Sequence, residues 1–137
     1  MKLELRHLAA YLPYKVQVKK SYWSIRFSEQ IEEVLILVAD DIVWYINDSD
    51  IKLILRPLSD LTKPEFANEL NEKFFHGSIP INNEYTPHHF LYDLNNGVKT
   101  IPLWQAVKIY EWLLSKHFDV YNLIESKIAI DINTINN

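Results

Sequence analysis

The chain contains no cysteine, which excludes disulfides, thiolate zinc sites and cysteine nucleophiles. Glycine is nearly absent, with only Gly77 and Gly97. A Walker-type phosphate loop and a dinucleotide fingerprint both need more glycine at closer spacing, so neither is present. No G-x-S-x-G elbow accompanies Ser59, Asp60 and His117, the residues that could otherwise be drawn into a hydrolase triad. Long apolar runs are missing too. The longest, Val34 to Ala39, is far too short to span a membrane. Apolar residues near Leu3 are interrupted by Glu4, Arg6 and His7, so no signal-peptide core forms. Repeats and low-complexity linkers are absent. These absences lead us to expect a soluble, cytoplasmic protein with no cofactor and no metal.

What is present is enough for a core. The 137 residues are 48% hydrophobic and 13% aromatic, values of a globular chain rather than a disordered one. That length reads as a single domain over residues 1–137. The net charge of −4 argues against non-specific DNA binding. Its distribution is uneven. Residues 1–28 carry Lys2, Arg6, Lys15, Lys19, Lys20 and Arg26 against Glu4 alone. Residues 29–50 carry Glu29, Glu32, Glu33, Asp40, Asp41, Asp48 and Asp50 with no Lys or Arg. Either basic and acidic strands lie side by side and pair, or the surface is two-signed and meets a charged partner.

Leu5, Leu8, Ala9 and Leu12 share a helical face, so Lys2 to Leu12 is a short helix stopped by Pro13. Tyr14 to Lys20 alternates, and Tyr22 to Phe27 alternates with Trp23, Ile25 and Phe27 on one face. We expect two strands joined at Lys20-Ser21. Val34 to Ala39 is apolar on both faces and is expected at the centre of the sheet. Ile42 to Ile46 and Ile51 to Leu55 follow as strands of an antiparallel meander, with Ile51, Leu53 and Leu55 inward. Thr62 to Glu65 is a capping box opening a helix from Pro64 to about Phe74. A short helix opens at Thr86-Pro87 and runs to Leu94. Another runs from Pro102 to about Lys116, with Leu103, Ala106, Val107, Tyr110, Leu113 and Leu114 on its apolar face. Asp119 caps a short second helix, and Ala129 to Ile132 is an extended tail. The expected fold is α+β: an antiparallel sheet of four or five strands over residues 14–56, a short N-terminal helix, and C-terminal helices as cover, the Pro102 helix foremost.

Three segments carry a resemblance. They are MKLEL at 1–5 with His7-Leu8 and Tyr11-Leu12-Pro13-Tyr14; Leu55-Arg56-Pro57-Leu58-Ser59-Asp60-Leu61-Thr62-Lys63; and His117-Phe118-Asp119-Val120 with Leu123-Ile124-Glu125 and Ala129-Ile130-Asp131-Ile132-Asn133. In this order they resemble a family of small uncharacterised proteins carried by phages and prophages of Bacteroidetes bacteria. The resemblance implies phage or prophage origin and no activity, substrate or catalytic residue. The chain departs from the family pattern at Lys15 and Lys127, where the family usually has glycine. If the turn at Lys127 needs positive φ, lysine costs about 1 kcal/mol there relative to glycine.

Candidate chemistry is sparse. His76, His88, His89 and Asp93 include metal-ligand types, but adjacent histidines point about 100° apart on a helix and rarely share one ion. Asp40-Asp41 and Asp48-Ser49-Asp50 pair carboxylates that could hold a divalent cation, yet Asp is also favoured at turns for its own backbone bonds. Trp23, Trp44, Trp104 and Trp112 could stack on single-stranded nucleic acid, Trp23 lying between Lys20 and Arg26. Most of these aromatics fall on faces assigned to the core. Trp104 and Trp112 suggest one packing edge or an interface. We therefore expect a non-enzymatic protein that binds an unidentified host or phage protein. The candidate contact residues are Glu29, Glu32, Glu33, Asp40, Asp41, Trp104 and Trp112. Two alternatives stand beside it: an inhibitor of a bacterial defence system of the anti-CRISPR kind, and a metal-dependent enzyme using Asp and His clusters.

Overall fold

The computed structural model describes residues 2–45, 50–75, 81, 85–96 and 101–135, with backbone only at 43 and 44. It is α+β, and the chain divides into two compact units, residues 1–56 with 114–137, and residues 57–113.

The first unit holds the sheet. Helix α1 (Leu5–Tyr11) continues into a 3₁₀ turn at Leu12–Tyr14. Pro13 tightens the helix here, since its fixed φ suits a first turn as well as it ends a last one. Strand β1 (Gln17–Ser24) pairs antiparallel with β2 (Glu29–Ile36) along its whole length and with β3 (Ile51–Leu55) on its other side. Strand β4 (Ala129–Asp131) joins β3 in parallel, giving the order β2-β1-β3-β4.

This arrangement corrects the expected meander. No turn breaks β1 at Lys20-Ser21; the turn is Ile25 to Ser28, where the Phe27 N–H donates to Ser24 Oγ and Ser28 takes φ 50°. The run Val34 to Ala39 is not central. Its strand part lies in β2, at the sheet edge, and β1 is interior instead. The basic strand thus sits between the acidic strand and β3, and Lys19 Nζ reaches Glu32 Oε2 at 3.0 Å. Ile42–Tyr45 is a helical turn, α2, rather than a strand. It follows a 3₁₀ turn at Ala39–Asp41 that places Asp40 and Asp41 in a first turn, where carboxylates are favoured.

Sheet faces follow from alternation. Val18, Leu53, Leu55 and Ala129 are buried on one face. Gln17, Lys19, Ser21 and Trp23 lie on the other.

The first and third resembling segments meet in this unit with Leu55 and Arg56 of the second, whose residues 57–63 belong to the other unit. Tyr11 Oη donates to the Phe118 carbonyl at 2.5 Å and accepts the Val120 N–H at 3.2 Å. The Arg56 N–H donates to the His117 carbonyl, and the Asp119 N–H to the Arg56 carbonyl. His117 Nε2 lies 2.7 Å from the Tyr14 carbonyl. Asp119 does act as a cap, accepting from Leu123 and Ile124 N–H at 2.8 Å each, but it organises a chain of turns rather than the expected helix.

Lys15 and Lys127 are both left-handed, with φ 56° and 64°. A Cβ in this region costs about 1 kcal/mol relative to glycine. Lys15→Gly and Lys127→Gly are each expected to stabilise the protein by about 1 kcal/mol, seen as a higher urea midpoint at unchanged slope. A lower midpoint would show that the lysine side chain contributes more than its backbone costs.

The second unit is helical. It comprises a 3₁₀ turn at Leu58–Thr62, α3 (Pro64–Leu70) running into a π turn at Asn71–Phe75, α4 (Pro87–Asn96) and α5 (Leu103–Ser115), whose last two residues belong to the first unit. Thr86 Oγ1 caps α4 by accepting the His89 N–H. At α3, Thr62 Oγ1 donates to the Ser59 carbonyl, so the expected capping box does not form. Phe75 packs edge-on to Phe90 at 6.0 Å, and Phe74 to Trp112 at 6.3 Å. The Gln105 side chain donates to the Phe74 carbonyl, a partner for a group the π turn leaves outside the regular ladder. A four-residue helix, α6 (Ile132–Ile135), follows β4 in the first unit.

Candidate functional site

The sequence suggested seven contact residues, and the structure treats them differently. Glu32 and Glu33 are engaged within the sheet: Glu32 with Lys19, and Glu33 as acceptor of the Tyr22 hydroxyl at 2.8 Å. That bond, with some desolvation, pushes the Tyr22 hydroxyl above its ordinary pKa. Glu29 and Asp40 are exposed and Asp41 is half-buried. Trp104 and Trp112 do not form one edge. Eight residues on a helix amount to about 80° of net rotation, and that separates them. Trp104 is 64% exposed, whereas Trp112 is 5% exposed and its Nε1–H donates to Glu69 at 3.3 Å. Trp112 is a core residue and presents no surface to a partner.

Helix α5 buries only part of the expected face, Ala106 and Leu113, with Tyr110 and Leu114 half-buried. Ala106, Ile109, Trp112 and Leu113 are inside. Leu103 and Val107, assigned to the apolar face, are exposed beside Trp104.

The larger exposed apolar surface is on the β1–β2 hairpin, where sequence reasoning placed core. Among the described residues, β1 beyond Ser21, whose N–H donates to the Asp50 carbonyl, pairs with β2. We call this outer half of the hairpin, residues 22–31, the arm. At its tip Trp23 is 60%, Ile25 87% and Phe27 59% exposed, with the Arg26 guanidinium 5.3 Å from the Phe27 ring centroid. Val34 and Ile36 are exposed on the same face as Trp23, but opposite Lys19 and Gln17 in the body of the sheet, beyond the polar pair Ser21 and Glu32. The available sequence signal was a change of phase. Tyr14, Val16 and Val18 occupy even positions, Trp23, Ile25 and Phe27 odd ones. A strand running unbroken to Ser24 must then turn Trp23 away from the core, while Ile25 and Phe27 lie beyond it in the turn.

At the base of the arm a depression of about 270 Å³ is lined by Lys19, Ser21, Glu32, Asp50, Lys52 and Ile130. Lys19 and Lys52 face each other across β1 and β3. Such like charges repel, and the carboxylates of Glu32 and Asp50 offset them. The charges compensate one another, and no nucleophile is paired with a base.

Other candidates resolve into structural roles. His88 and His89 are exposed, His89 stacks on Tyr85 at 6.3 Å, and Asp93 accepts the Tyr85 hydroxyl at 2.6 Å. Burial, then that bond, pushes the Tyr85 pKa upward. Asp60 is buried and 3.4 Å from Lys63 Nζ. His7, which sequence reasoning did not single out, is fully buried. Its Nδ1 accepts the Glu4 N–H at 3.0 Å, its Nε2 has no hydrogen-bond partner among the described residues, and desolvation depresses its pKa. His76, Asp48 and the Trp44 side chain lie outside what the structure describes. Among the described residues no group of three or more His, Asp or Glu is placed to hold a metal ion, and no helix is long and apolar enough to cross a membrane.

Comparison with protein families, with curated proteins and with solved structures returns no match for this chain.

Proposed function

We propose that this protein acts by binding another protein, without catalysis of its own, and that the β1–β2 arm is its main contact surface. The observation that supports this reading is the tip: three large apolar side chains, each more than half exposed, stand together around Arg26. Contiguous apolar surface rimmed by charge is what binding sites expose and what folded monomers otherwise limit. Aromatic and arginine side chains are also the types that dominate interface energetics. Phage or prophage origin, implied by the resemblance, places the partner in a bacterial host cell or among the phage's own proteins. The defence-inhibitor version of this reading relies on the acidic stripe as a nucleic-acid mimic. It has less support, because Lys19 offsets the charge of Glu32 and Glu33 is engaged by the Tyr22 hydroxyl.

The test is capture from Bacteroidetes lysate with the full chain and with Trp23→Ser/Phe27→Ser, whose exposed positions leave the fold intact by circular dichroism. A specific protein held by the parent chain and lost by the variant is the expected result. Equal capture by both would remove the arm from the site. No specific partner for either would sink the protein-binding reading.

A further inference from the structure

Among the described residues, strand β2 is an edge of the sheet, eight residues long with an unbroken register to β1. Folded proteins commonly blunt such edges with lysine, proline or a bulge; β2 has none of these. Three consecutive apolar residues, Val34, Leu35 and Ile36, are each more than a third exposed on it. The ladder fixes which backbone groups face outward. The Leu37 N–H donates to the Val16 carbonyl, so the hydrogen-bonded pairs with β1 fall at every second residue from there, at Leu35, Glu33 and Ile31. The N–H and C=O groups of Gln30, Glu32, Val34 and Ile36 therefore point to the open edge.

The side chains restrict the occupant. Glu29, Glu32 and Glu33 lie in the strand, and no Lys or Arg occurs between residues 29 and 50. A second copy pairing antiparallel must match outward-facing residues with one another, so its two most centred registers set Glu32 or Glu33 against itself. Like charges directly opposite are destabilising. A polynucleotide is repelled by the same carboxylates and cannot complete a backbone ladder.

We propose that the open edge of β2 takes up one extended, antiparallel strand of a protein partner, apolar opposite Val34–Ile36 and basic opposite Glu29–Glu33. Main-chain hydrogen bonds would supply the affinity and the charge pattern the register, as in other strand-addition complexes. This deepens the protein-binding reading and rests on it.

The probe is a fluorescein-labelled peptide, Ile-Val-Val-Arg-Lys-Ile-Thr-Lys, titrated into the full chain beside its reversed sequence and a version with Glu in place of its basic residues. The matched peptide is expected to bind saturably and at least about tenfold tighter than either control. On binding, the amides of Gln30, Glu32, Val34 and Ile36 should gain protection from hydrogen exchange while those of Ile31, Glu33 and Leu35 change little. Val34→Pro removes an outward N–H and leaves the β1 ladder intact, so it should weaken binding about tenfold. Glu32→Gln/Glu33→Gln keeps the backbone and should weaken binding several-fold with a shallower salt dependence. No saturable binding, equal protection at both sets of amides, or unchanged affinity in both variants would overturn the proposal. So would a dimer in sedimentation that Val34→Pro converts to monomer, which would assign the edge to a second copy. A lysate partner lost on Trp23→Ser/Phe27→Ser but kept by Val34→Pro would overturn strand addition alone and leave the protein-binding reading standing.

Discussion

Tyr11→Phe is expected to lower stability by about 2 kcal/mol in urea unfolding, with an unchanged slope. The ring stays in place, edge-on to Tyr121 at 6.3 Å, so the substitution removes little besides the hydroxyl. That hydroxyl serves two main-chain groups of a buried segment, the Phe118 carbonyl and the Val120 N–H. The two groups also bond each other at 3.0 Å, but such tight turns have poorer geometry than a bond to a side chain. Phe118 is fully buried and Val120 nearly so, which keeps water from replacing the lost partner. A loss below about 0.5 kcal/mol would mean that water reaches this site after all.

The same contact explains what the resembling segments have in common. They lie far apart in the chain, yet Tyr11, Tyr14, Arg56 and His117 to Val120 form one hydrogen-bonded knot. Buried partners of this kind constrain sequence for the sake of folding. Nothing in the knot is arranged as nucleophile, base or ligand, so these segments read as a framework. The apolar tip at Trp23, Ile25 and Phe27 lies outside them.

Local patterns were legible where a local cause acts. Ile51 to Leu55 alternates and is a strand; Pro64, Pro87 and Pro102 each mark a helix start to within a residue. Pairing was not legible, because the partner of a strand is chosen across the chain. Val34 to Ile36 reads as a strand apolar on both faces, and only the sheet order shows that it stands at an edge. Helix α5 poses the same difficulty in another form. Leu103, Trp104 and Val107 compete with Ala106, Ile109, Trp112 and Leu113 as its apolar sector, and periodicity alone does not choose between them. The exposure of the hairpin tip was not legible for a related reason: an alternating strand has two faces, and alternation does not say which is inward.

Asp119→Ala is expected to cost more than Tyr11→Phe, about 3–4 kcal/mol. Its carboxylate is 5% exposed and holds two backbone donors, Leu123 N–H on one oxygen and Ile124 N–H on the other, both at 2.8 Å. Bonds to an ionised acceptor are stronger than neutral ones, and alanine would leave both donors without it. The following turns depend on their placement: Leu123 supplies the carbonyl that accepts from Ile128 and Ala129 N–H, and Ala129 opens β4 beside Leu53. Loosening the cap should therefore release β4 from β3, with hydrogen exchange rising over residues 123–131 before it rises in β1. Asp119→Asn separates the capping role from simple burial. Its side chain keeps one acceptor oxygen and no charge, so its loss should fall near half that of alanine. Equal losses for the two variants would show that the negative charge, and not the count of acceptors, holds the segment. A loss for Asp119→Ala no larger than about 1 kcal/mol would show that these turns stand without their cap.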